Sequence, residues 1–497
     1  MTDTNVNYEA LIVGTGFGGM GAAIQLKKLG IDNFLMIDRA DDLGGTWHLN
    51  HYPGLQVDIP SVSYSYSFEP NPYWSRRYCP GQEIKKYANH VADKYGLRGK
   101  MQFNTSVNRA TFDEAGQFWT VYPQEGAPIT ARFLLLATGF LSQPKKPDID
   151  GVESFAGKVV HTAEWDHEYD FNGKRAAMIG TGASAVQALP IIAKQVAQMD
   201  VYQRTPIWVL PKSNPKISSR LQNLYARFPA LQKAARWIVE SLLETMLVSA
   251  LLHARQLPFL ARQGEGMAKK HLAKQVADPV LRQKLTPDYS FGCKRPTFAN
   301  DYYPTFTKPN VELVTDTISH IEPDAIVTKD GKRRPIDTLI LATGFNLWEK
   351  GNFPAFDVVG KQGVELGSWW QKNQYESYEG ITVPGFPNLF NLHSPYSYSG
   401  LCYFSTIESQ MAHMERCLTA MRQAGASTFE VTDAAKDEFM QLMDSRQKDA
   451  IFTVGSCQTA NSYYFNPHGV ASVLRLTPTR HAVRQAKSFP PTAYQFS

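Results

Sequence analysis

The sequence has few cysteines and no close pair of them. Only five occur in 497 residues, and no two stand in a CxxC arrangement. They are Cys79, Cys293, Cys402, Cys417 and Cys457. This number and spacing argue against a metal site and against a secreted disulfide scaffold, and they favour a reducing compartment. We therefore expect no bound metal, no disulfide framework and a cytoplasmic location.

Long hydrophobic runs are also missing. The longest, residues 237–252, contains Glu240 and Glu244, and it is shorter than the roughly 20 residues that a membrane span needs. We favour a packed helix within an insertion for this run, with a helix lying on a membrane surface as the alternative. The first residues, Met1–Asn7, have neither the basic nor the apolar region of a secretion signal.

Charge of one sign is not in large excess. The chain has 51 Lys and Arg against 46 Asp and Glu, a net charge of +5. A nucleic-acid-binding protein would be more basic, with its charge clustered, so no nucleic-acid partner is expected, although an anionic cofactor is compatible with this charge. The length predicts about three domains, or two large ones with an insertion.

A βαβ unit is predicted at the start of the chain. An apolar run at 10–13 leads into a glycine cluster, helical periodicity follows over 20–29, and a second apolar run at 34–37 ends at Asp38. Strand, glycines, helix, strand and acid in this order are typical of a dinucleotide-binding unit.

The three glycines and the acid of that unit each have a physical role. Gly14 permits the tight turn, Gly16 lets the backbone approach a pyrophosphate, and Gly19 allows the helix to pack closely on the strand. The free N–H groups of the helix N-terminus then face the phosphates. Asp38 stands where a carboxylate accepts hydrogen bonds from a ribose diol.

A second unit of the same design begins near residue 175. A strand at 176–179 leads into a GxGxxA cluster, followed by a helix to about 195 and a strand at 201–202. The residues expected to contact the second dinucleotide through this cluster are Gly180, Thr181, Gly182, Ser184 and Ala185. The same supersecondary pattern therefore occurs twice.

The second unit lacks the ribose-binding acid. Arg204 and Thr205 occupy that place, and a guanidinium with a hydroxyl suits a ribose 2′-phosphate, so this site is expected to prefer NADP to NAD. Two dinucleotide sites predict FAD and NADPH as the cofactors, with hydride transfer to the flavin. A disulfide reductase would need a close cysteine pair, and the sequence has none. We therefore expect oxygen or another acceptor to reoxidise the flavin.

A specific pattern lies between the two glycine clusters. Phe155, Gly157, His161, Trp165 and Asp166 fit the spacing FxGxxxHxxxW[P/D] at every fixed position. By this pattern and its place, the chain resembles the type I Baeyer–Villiger monooxygenases, which are class B flavoprotein monooxygenases. Other segments fit the same family, so that the resemblance spans nearly the whole chain: residues 44–58, 137–139, 292–296 and 342–344.

The resemblance implies a reaction and two catalytic residues. In that family a C4a-peroxyflavin attacks a ketone, and the adduct rearranges to an ester or lactone. Arg295 matches the family's active-site arginine, which stabilises the peroxide and the adduct oxyanion, and Asp58 matches the carboxylate that holds this arginine. Sulfides are expected as additional substrates, with O2 as co-substrate.

The resemblance also implies further contacts. Lys294 matches a position that helps to bind the NADP 2′-phosphate. The flavin-contact positions are matched by Gly45, Thr46, Trp47 and Tyr64. His161 is expected on a linker between the two dinucleotide domains, with a structural or coupling role rather than that of a general base. Trp165 and Asp166 are expected to brace the same linker.

The expected fold class is α/β, with two Rossmann-type dinucleotide-binding domains, for FAD and NADP, and a helical insertion in the NADP domain. The expected boundaries are 1–145 for the first part of the FAD domain, 146–212 for the first part of the NADP domain, 213–290 for the insertion, 291–375 for the second part of the NADP domain and 376–497 for the C-terminal part of the FAD domain.

The sequence departs from the family at two positions. Tyr463 stands where many members have a tryptophan in a late loop, and Gln56 stands where an arginine is frequent. These changes leave the chemistry in place but bear on substrate choice. Three tyrosines either line the substrate pocket or belong to the core: Tyr396, Tyr398 and Tyr403.

Two other functions stay open at this point. Oxygenation of sulfur or nitrogen could be the main role, although the Trp165–Asp166 pair argues against a pure heteroatom enzyme. A flavin-binding redox sensor without turnover is the alternative of another class, and two intact dinucleotide patterns argue against it. The sequence leaves the natural substrate and the oligomeric state undetermined.

Overall fold

The computed structural model describes residues 6–349 and 351–497, so part of the Met1–Asn7 segment lies outside the described residues. The strands, in chain order, are β1 (Tyr8–Val13), β2 (Phe34–Ile37), β3 (Met101–Gln102), β4 (Val107–Asp113), β5 (Phe118–Pro123), β6 (Ile129–Leu136), β7 (Gln143–Pro144), β8 (Lys158–His161), β9 (Arg175–Ile179), β10 (Gln198–Tyr202), β11 (Val209–Leu210), β12 (Thr297–Phe298), β13 (Val311–Val314), β14 (Ile318–Glu322), β15 (Ala325–Thr328), β16 (Arg333–Pro335), β17 (Thr338–Leu341), β18 (Phe345–Asn346), β19 (Asp357–Val359), β20 (Leu389–Asn391), β21 (Phe429–Val431) and β22 (Tyr494–Phe496).

The helices follow the same order. They are α1 (Phe17–Lys28), α2 (Thr46–Leu49), α3 (Gly81–Lys94), α4 (Ala183–Ile192), α5 (Ser219–Arg227), α6 (Pro229–Leu243), α7 (Ser249–Leu252), α8 (Pro258–Gln275), α9 (Pro279–Leu285), α10 (Tyr302–Thr305), α11 (Leu366–Lys372), α12 (Tyr403–Gln423), α13 (Asp433–Gln447), α14 (Ile451–Val454) and α15 (Thr479–Ser488). In the described part of the chain, none of them is long and apolar enough to cross a membrane.

The first sheet contains the first predicted βαβ unit. Its strand order is β19-β4-β5-β6-β1-β2-β3, with β20 against the second half of β6. Strand β1 pairs in parallel with β2 and β6, and α1 provides the crossover that a parallel β1–β2 pair needs. The apolar side chains of β1 are buried on both faces of the sheet, which explains why its sequence is an apolar run rather than an alternation.

The second sheet contains the second predicted unit. Its order is β13-β10-β9-β17-β8, and every pairing is parallel. Helix α4 connects β9 to β10, as the second glycine cluster predicts. The α/β class with two Rossmann-type units is therefore confirmed.

Helices α5–α9 lie between β11 and β12, within the segment predicted as a helical insertion. The two short strands pair in parallel, Val209 with Thr297, so the insertion leaves and rejoins the fold at one place. The predicted domain boundaries stay a prediction, but the sheet pairing does not fit the one at residue 375. Strand β19 pairs with β4 of the first sheet, so the chain returns to that sheet before residue 375.

The fingerprint segment is placed differently from the expectation. It was predicted on a linker, but Lys158–His161 form β8, the edge strand of the second sheet, paired with β17. Gly157 lies against the backbone, because a Cβ there would meet the Asp337 carbonyl oxygen at 2.4 Å. The partner of β8 is β17, about 180 residues later in the chain, and local patterns do not reveal a pairing at that distance.

The cysteine expectation is wrong for one pair. Cys293 and Cys457 form a disulfide although they are 164 residues apart, with their Cα atoms at 5.2 Å. Cys79, Cys402 and Cys417 are free and buried. Sequence spacing reveals only local pairs, whereas here the fold brings the loop after α9 next to the loop after α14. The cysteine pattern therefore no longer argues for a reducing compartment.

We expect the native disulfide to be detectable and stabilising. Alkylation of the unfolded, unreduced protein should label three cysteines, and mass spectrometry should recover a linked peptide with Cys293 and Cys457. Reduction should lower the unfolding temperature, because a disulfide that closes a long loop contributes about 2–5 kcal/mol. Cys457→Ser is the control, since its unfolding temperature should not respond to reductant. Five labelled cysteines before reduction would contradict the pairing.

Candidate active site

One large cavity collects most of the predicted site residues. It measures about 1770 Å³ and is lined by both glycine loops, the acid after β2 and the Lys294–Arg295 pair. In open parallel sheets, ligands bind at the carboxyl ends of the strands. The predicted site residues that line it are Gly14, Gly16, Asp38, Gly45, Thr46, Trp47, Asp58, Tyr64, Gly180, Thr181, Gly182, Ser184, Arg204, Thr205, Lys294 and Arg295.

Two glycines of the first loop, Gly14 and Gly19, have no room for a side chain. Gly14 has a φ of +113°, and a Cβ there would lie 2.3 Å from the Ala137 carbonyl oxygen. A Cβ on Gly19 would lie 1.9 Å from the carbonyl oxygen of Gly14, so Gly19 shapes the loop without lining the cavity. Asp38 closes the loop by accepting hydrogen bonds from the Thr15 amide at 2.7 Å and hydroxyl at 2.8 Å.

The second glycine loop repeats this geometry. Gly180 has a φ of +110°, and a Cβ there would meet the Ala342 carbonyl oxygen at 2.4 Å. The Thr181 hydroxyl donates to the carbonyl oxygen of Thr205 at 2.9 Å, which ties the loop to the residues after β10. Ala185 is fully buried behind the loop and does not face the cavity.

Two cations stand together beside this second loop. Arg204 is exposed and Lys294 is half-buried, and both line the cavity. Burial, and then the neighbouring Arg204 charge, lower the pKa of Lys294 to about 8. Among the described residues no carboxylate lies close enough to form an ion pair with either cation. Arg204 and Lys294 together are therefore suited to bind an anionic group such as a phosphate.

An ion pair joins the two units inside the cavity. Arg295 Nε donates to Asp58 Oδ2 at 2.8 Å, and Nη2 donates to Oδ1 at 3.1 Å. The remaining guanidinium nitrogen, Nη1, donates to the Tyr398 hydroxyl at 2.9 Å. Asp58 follows α2 in the first unit, whereas Arg295 follows the helical insertion. The bidentate geometry fixes the plane of the guanidinium.

Both members of this pair are held in their ionised forms. Burial alone would raise the pKa of Asp58, but the Arg295 charge outweighs it and keeps that pKa below its ordinary value. Burial would likewise lower the pKa of Arg295, but Asp58 raises it well above the ordinary value. The cavity therefore contains a permanent cation whose counter-charge lies on one side.

Aromatic side chains form part of the cavity wall. Trp47 Nε1 donates to the Tyr64 hydroxyl at 3.1 Å, and Gly45 brings this loop to the first glycine loop, since its Cβ would lie 3.0 Å from Gly16 Cα. Tyr398 and Tyr403 also line the cavity. The third tyrosine left open by the sequence, Tyr396, is buried in the core instead.

The comparisons with known proteins agree with this geometry. A family profile described as pyridine nucleotide-disulphide oxidoreductase matches residues 11–235. A Baeyer-Villiger monooxygenase of Pseudomonas aeruginosa is 38% identical over 462 residues, which cover 92% of this chain and 85% of the relative. One of Streptomyces coelicolor is 37% identical over 466 residues, covering 93% and 88%.

The chain belongs to the Baeyer–Villiger monooxygenase family. It is accordingly a flavin-dependent monooxygenase, which sets aside the alternative of a redox sensor without turnover. Solved structures are similar over the whole chain. An oxidized steroid monooxygenase bound to NADP has a TM-score of 0.86 at 29% identity, covering 98% of this chain and 99% of that one. The OTEMO complex with FAD and NADP has a TM-score of 0.84 at 26% identity, with 99% of both chains covered.

The fingerprint of this Baeyer–Villiger monooxygenase lies outside the cavity. Trp165 is buried and stacks on Phe171 with ring centroids 5.2 Å apart, and Asp166 accepts a hydrogen bond from Lys158 Nζ at 2.6 Å. Phe155 is buried in the core beside the second sheet. These contacts fasten the edge strand β8.

His161 lies at the end of that edge strand. The ring is buried, with Nδ1 accepting from the Ala163 amide at 3.0 Å, and Nε2 stands 3.5 Å from the Thr343 hydroxyl. Burial lowers the pKa of His161, so the ring is neutral near pH 7. Its second nitrogen thus faces the connection after β17, a position that suits a structural role.

The two family departures have different surroundings. Tyr463 lines the cavity, and its carbonyl oxygen accepts from Trp348 Nε1 at 3.1 Å. Gln56 accepts hydrogen bonds from Lys212 Nζ at 3.0 Å and from Asn214 Nδ2 at 3.2 Å. Tyr463 therefore bears directly on the cavity, whereas Gln56 fastens the start of the insertion.

Sequence reasoning missed one residue of the cavity wall. His393 lines the cavity and is buried, and neither ring nitrogen has a hydrogen-bond partner among the described residues. Its ring stacks on Phe140 with centroids 4.5 Å apart and meets Tyr403 edge-on at 4.8 Å. Burial lowers its pKa to about 3. Its place two residues after the apolar run that forms β20 was the available signal.

We expect NADPH affinity to depend on the charge of Lys294. Because the pKa of Lys294 is about 8, the dissociation constant of NADPH should rise above pH 8, approaching tenfold per pH unit by linkage. NADH lacks the 2′-phosphate and should show little such dependence. Lys294→Arg keeps the charge and should flatten the profile. A wild-type profile retained in this variant would contradict the assignment; fluorescence titration of the flavoprotein measures it.

Proposed function

We propose that the chain holds FAD at the first glycine loop and NADPH at the second, and that it converts ketones to esters or lactones. One atom of O2 enters the bond beside the carbonyl carbon, the other leaves as water, and NADPH provides two electrons. The observation that carries this proposal is the Asp58–Arg295 pair, which sets a fixed cation in the cavity that both dinucleotide-binding units share.

The cavity wall fits the two cofactors. In both loops the first glycine has no space for a side chain, and each loop leads into a helix N-terminus without a side-chain cap, the arrangement that binds a pyrophosphate. Lys294 and Arg204 suit the 2′-phosphate that distinguishes NADPH from NADH. Trp47 and Tyr64 provide an aromatic wall next to the first loop. When bound, FAD supplies the redox chemistry by which electrons from NADPH activate O2.

Arg295 has the charge that the oxygen insertion needs. Attack on a ketone carbonyl places negative charge on its oxygen, and a cation fixed beforehand lowers the energy of that state without reorganisation. Asp58 orients the guanidinium, and Tyr398 accepts one hydrogen bond from Nη1, so the direction of the guanidinium is set from two sides while N–H donors remain for a substrate oxygen. The flavin–oxygen route predicted from the sequence requires such a cation next to the reacting carbonyl.

We also propose that sulfides are oxidised in the same cavity. Transfer of an oxygen atom to a thioether sulfur develops no carbonyl oxyanion, so it depends less on Arg295. The buried aromatic wall accepts apolar substrates of either kind. Ester formation is the proposed main activity, because a bidentate Asp–Arg pair in the cavity has no evident use in simple sulfur oxidation.

Arg295→Ala is expected to separate these activities. The rate of ester formation should fall on the order of 100-fold or more, the usual cost of removing an oxyanion-stabilising donor. Flavin reduction by NADPH without oxygen, followed by stopped-flow absorbance, should stay close to wild type because hydride transfer needs no such cation. Arg484→Ala, which removes an exposed arginine on α15, is the control. Wild-type ester yield in Arg295→Ala would refute the role.

A substrate panel tests the proposed function itself. Linear, cyclic and aryl ketones and thioethers are incubated with NADPH under ¹⁸O2, and the products are identified by mass spectrometry. We expect esters or lactones that carry one labelled oxygen, together with substrate-stimulated NADPH consumption. Sulfoxides from the thioethers without any ester from the ketones would instead make the chain a heteroatom monooxygenase.

A further inference from the structure

Exposed apolar side chains are concentrated in the helical insertion. Elsewhere in the described residues, large apolar side chains at the surface are few and scattered, as on most proteins. Those of the insertion are Leu221, Leu224, Phe228, Leu231, Trp237, Ile238, Leu242, Met246, Phe259, Met267 and Val280. Such a concentration of exposed apolar residues in one segment is typical of an interaction surface.

Helix α6 has its apolar and polar sides reversed relative to an ordinary surface helix. Gln232 and Arg236 are buried, and their side chains donate to the backbone carbonyl oxygens of Asn71 and Ser65, each at 2.7 Å. Its other sides expose Trp237 by 62% and Leu242 by 57%. A helix that packs only for stability would turn these two sides the other way round.

Four of the exposed apolar side chains lie along one face of α6 and the turn that follows it. Leu231, Ile238, Leu242 and Met246 are separated by seven, four and four residues, which places them on one face of a helix. This face continues through the π-helical turn Glu244–Val248 that follows α6.

Helix α8 combines apolar and basic residues on one exposed face. Phe259, Met267, Lys270 and Lys274 are all exposed, and their spacing of eight, three and four residues lines them up along the helix. The whole insertion, residues 213–290, contains 12 Lys and Arg against 5 Asp and Glu, a net charge of +7. Because the complete chain has +5, the remainder has −2.

We propose that this insertion surface docks on anionic phospholipid membranes. Exposed Trp and Leu side chains in an insertion of net charge +7 are the composition of helices that lie in the membrane interface, and anionic headgroups attract the positive charge. A second copy of the chain fits less well, because it would bring two surfaces of charge +7 together. None of the described helices is able to span the bilayer, so the docking is peripheral.

Vesicle binding tests this surface without any substrate, and thus independently of the proposed function. The intact flavoprotein is mixed with vesicles of phosphatidylglycerol and phosphatidylcholine in equal parts, or of phosphatidylcholine alone, and separated by flotation. We expect at least tenfold tighter binding to the anionic vesicles, reduced by raised salt. Trp237→Ser with Leu242→Ser should lower that binding at least tenfold, and Lys270→Glu with Lys274→Glu should abolish the preference for anionic lipid.

The controls keep folding and self-association apart from docking. Tyr122→Ser with Val364→Ser changes two exposed apolar residues outside the insertion and should bind vesicles like the wild type. All variants should keep their bound flavin and NADPH oxidation, since none of these residues lines the cavity. Equal vesicle binding by the Trp237 variant and its control would overturn the proposal. So would the finding that the wild type does not bind vesicles but forms a dimer in light scattering that the Trp237 variant dissociates.

Discussion

The ion pair between Asp58 and Arg295 is the interaction on which the site depends. Its carboxylate comes from the first unit and its guanidinium from the segment after the insertion. Burial disfavours each charge alone, whereas the pair keeps both ionised. The cation therefore has a defined direction only when the two units are packed against each other, and the cavity between them becomes a site through that contact.

Local patterns predicted the parts of the fold that neighbouring residues determine. The two βαβ units follow from a strand, a glycine turn and a helix in sequence, and the positive φ of Gly14 and Gly180 shows why only glycine fits there. Contacts between distant segments left no such trace. Three such contacts join residues that are far apart in the chain: the Cys293–Cys457 disulfide, the pairing of β19 with β4 and the pairing of β8 with β17.

The site was predictable to a similar extent. The family pattern identified Arg295 and Asp58, and the structure places them in hydrogen-bonding contact. It could not identify His393, because an isolated histidine after an apolar run is indistinguishable from a core residue until its unpaired ring is seen facing the cavity. Nor could it choose among the three tyrosines, since Tyr396 and Tyr398 are two residues apart and yet have different surroundings.

The order of strands in the first sheet has a consequence for how this protein can be divided. The sheet takes strands from near the N-terminus and, after the whole second sheet has been made, from β19 and β20. No fragment that ends before β19 therefore contains the complete first sheet. An independently folding first unit would require residues up to β6 to be joined to the segment that carries β19 and β20, and during synthesis the first sheet gains these strands only after all strands of the second sheet have been made.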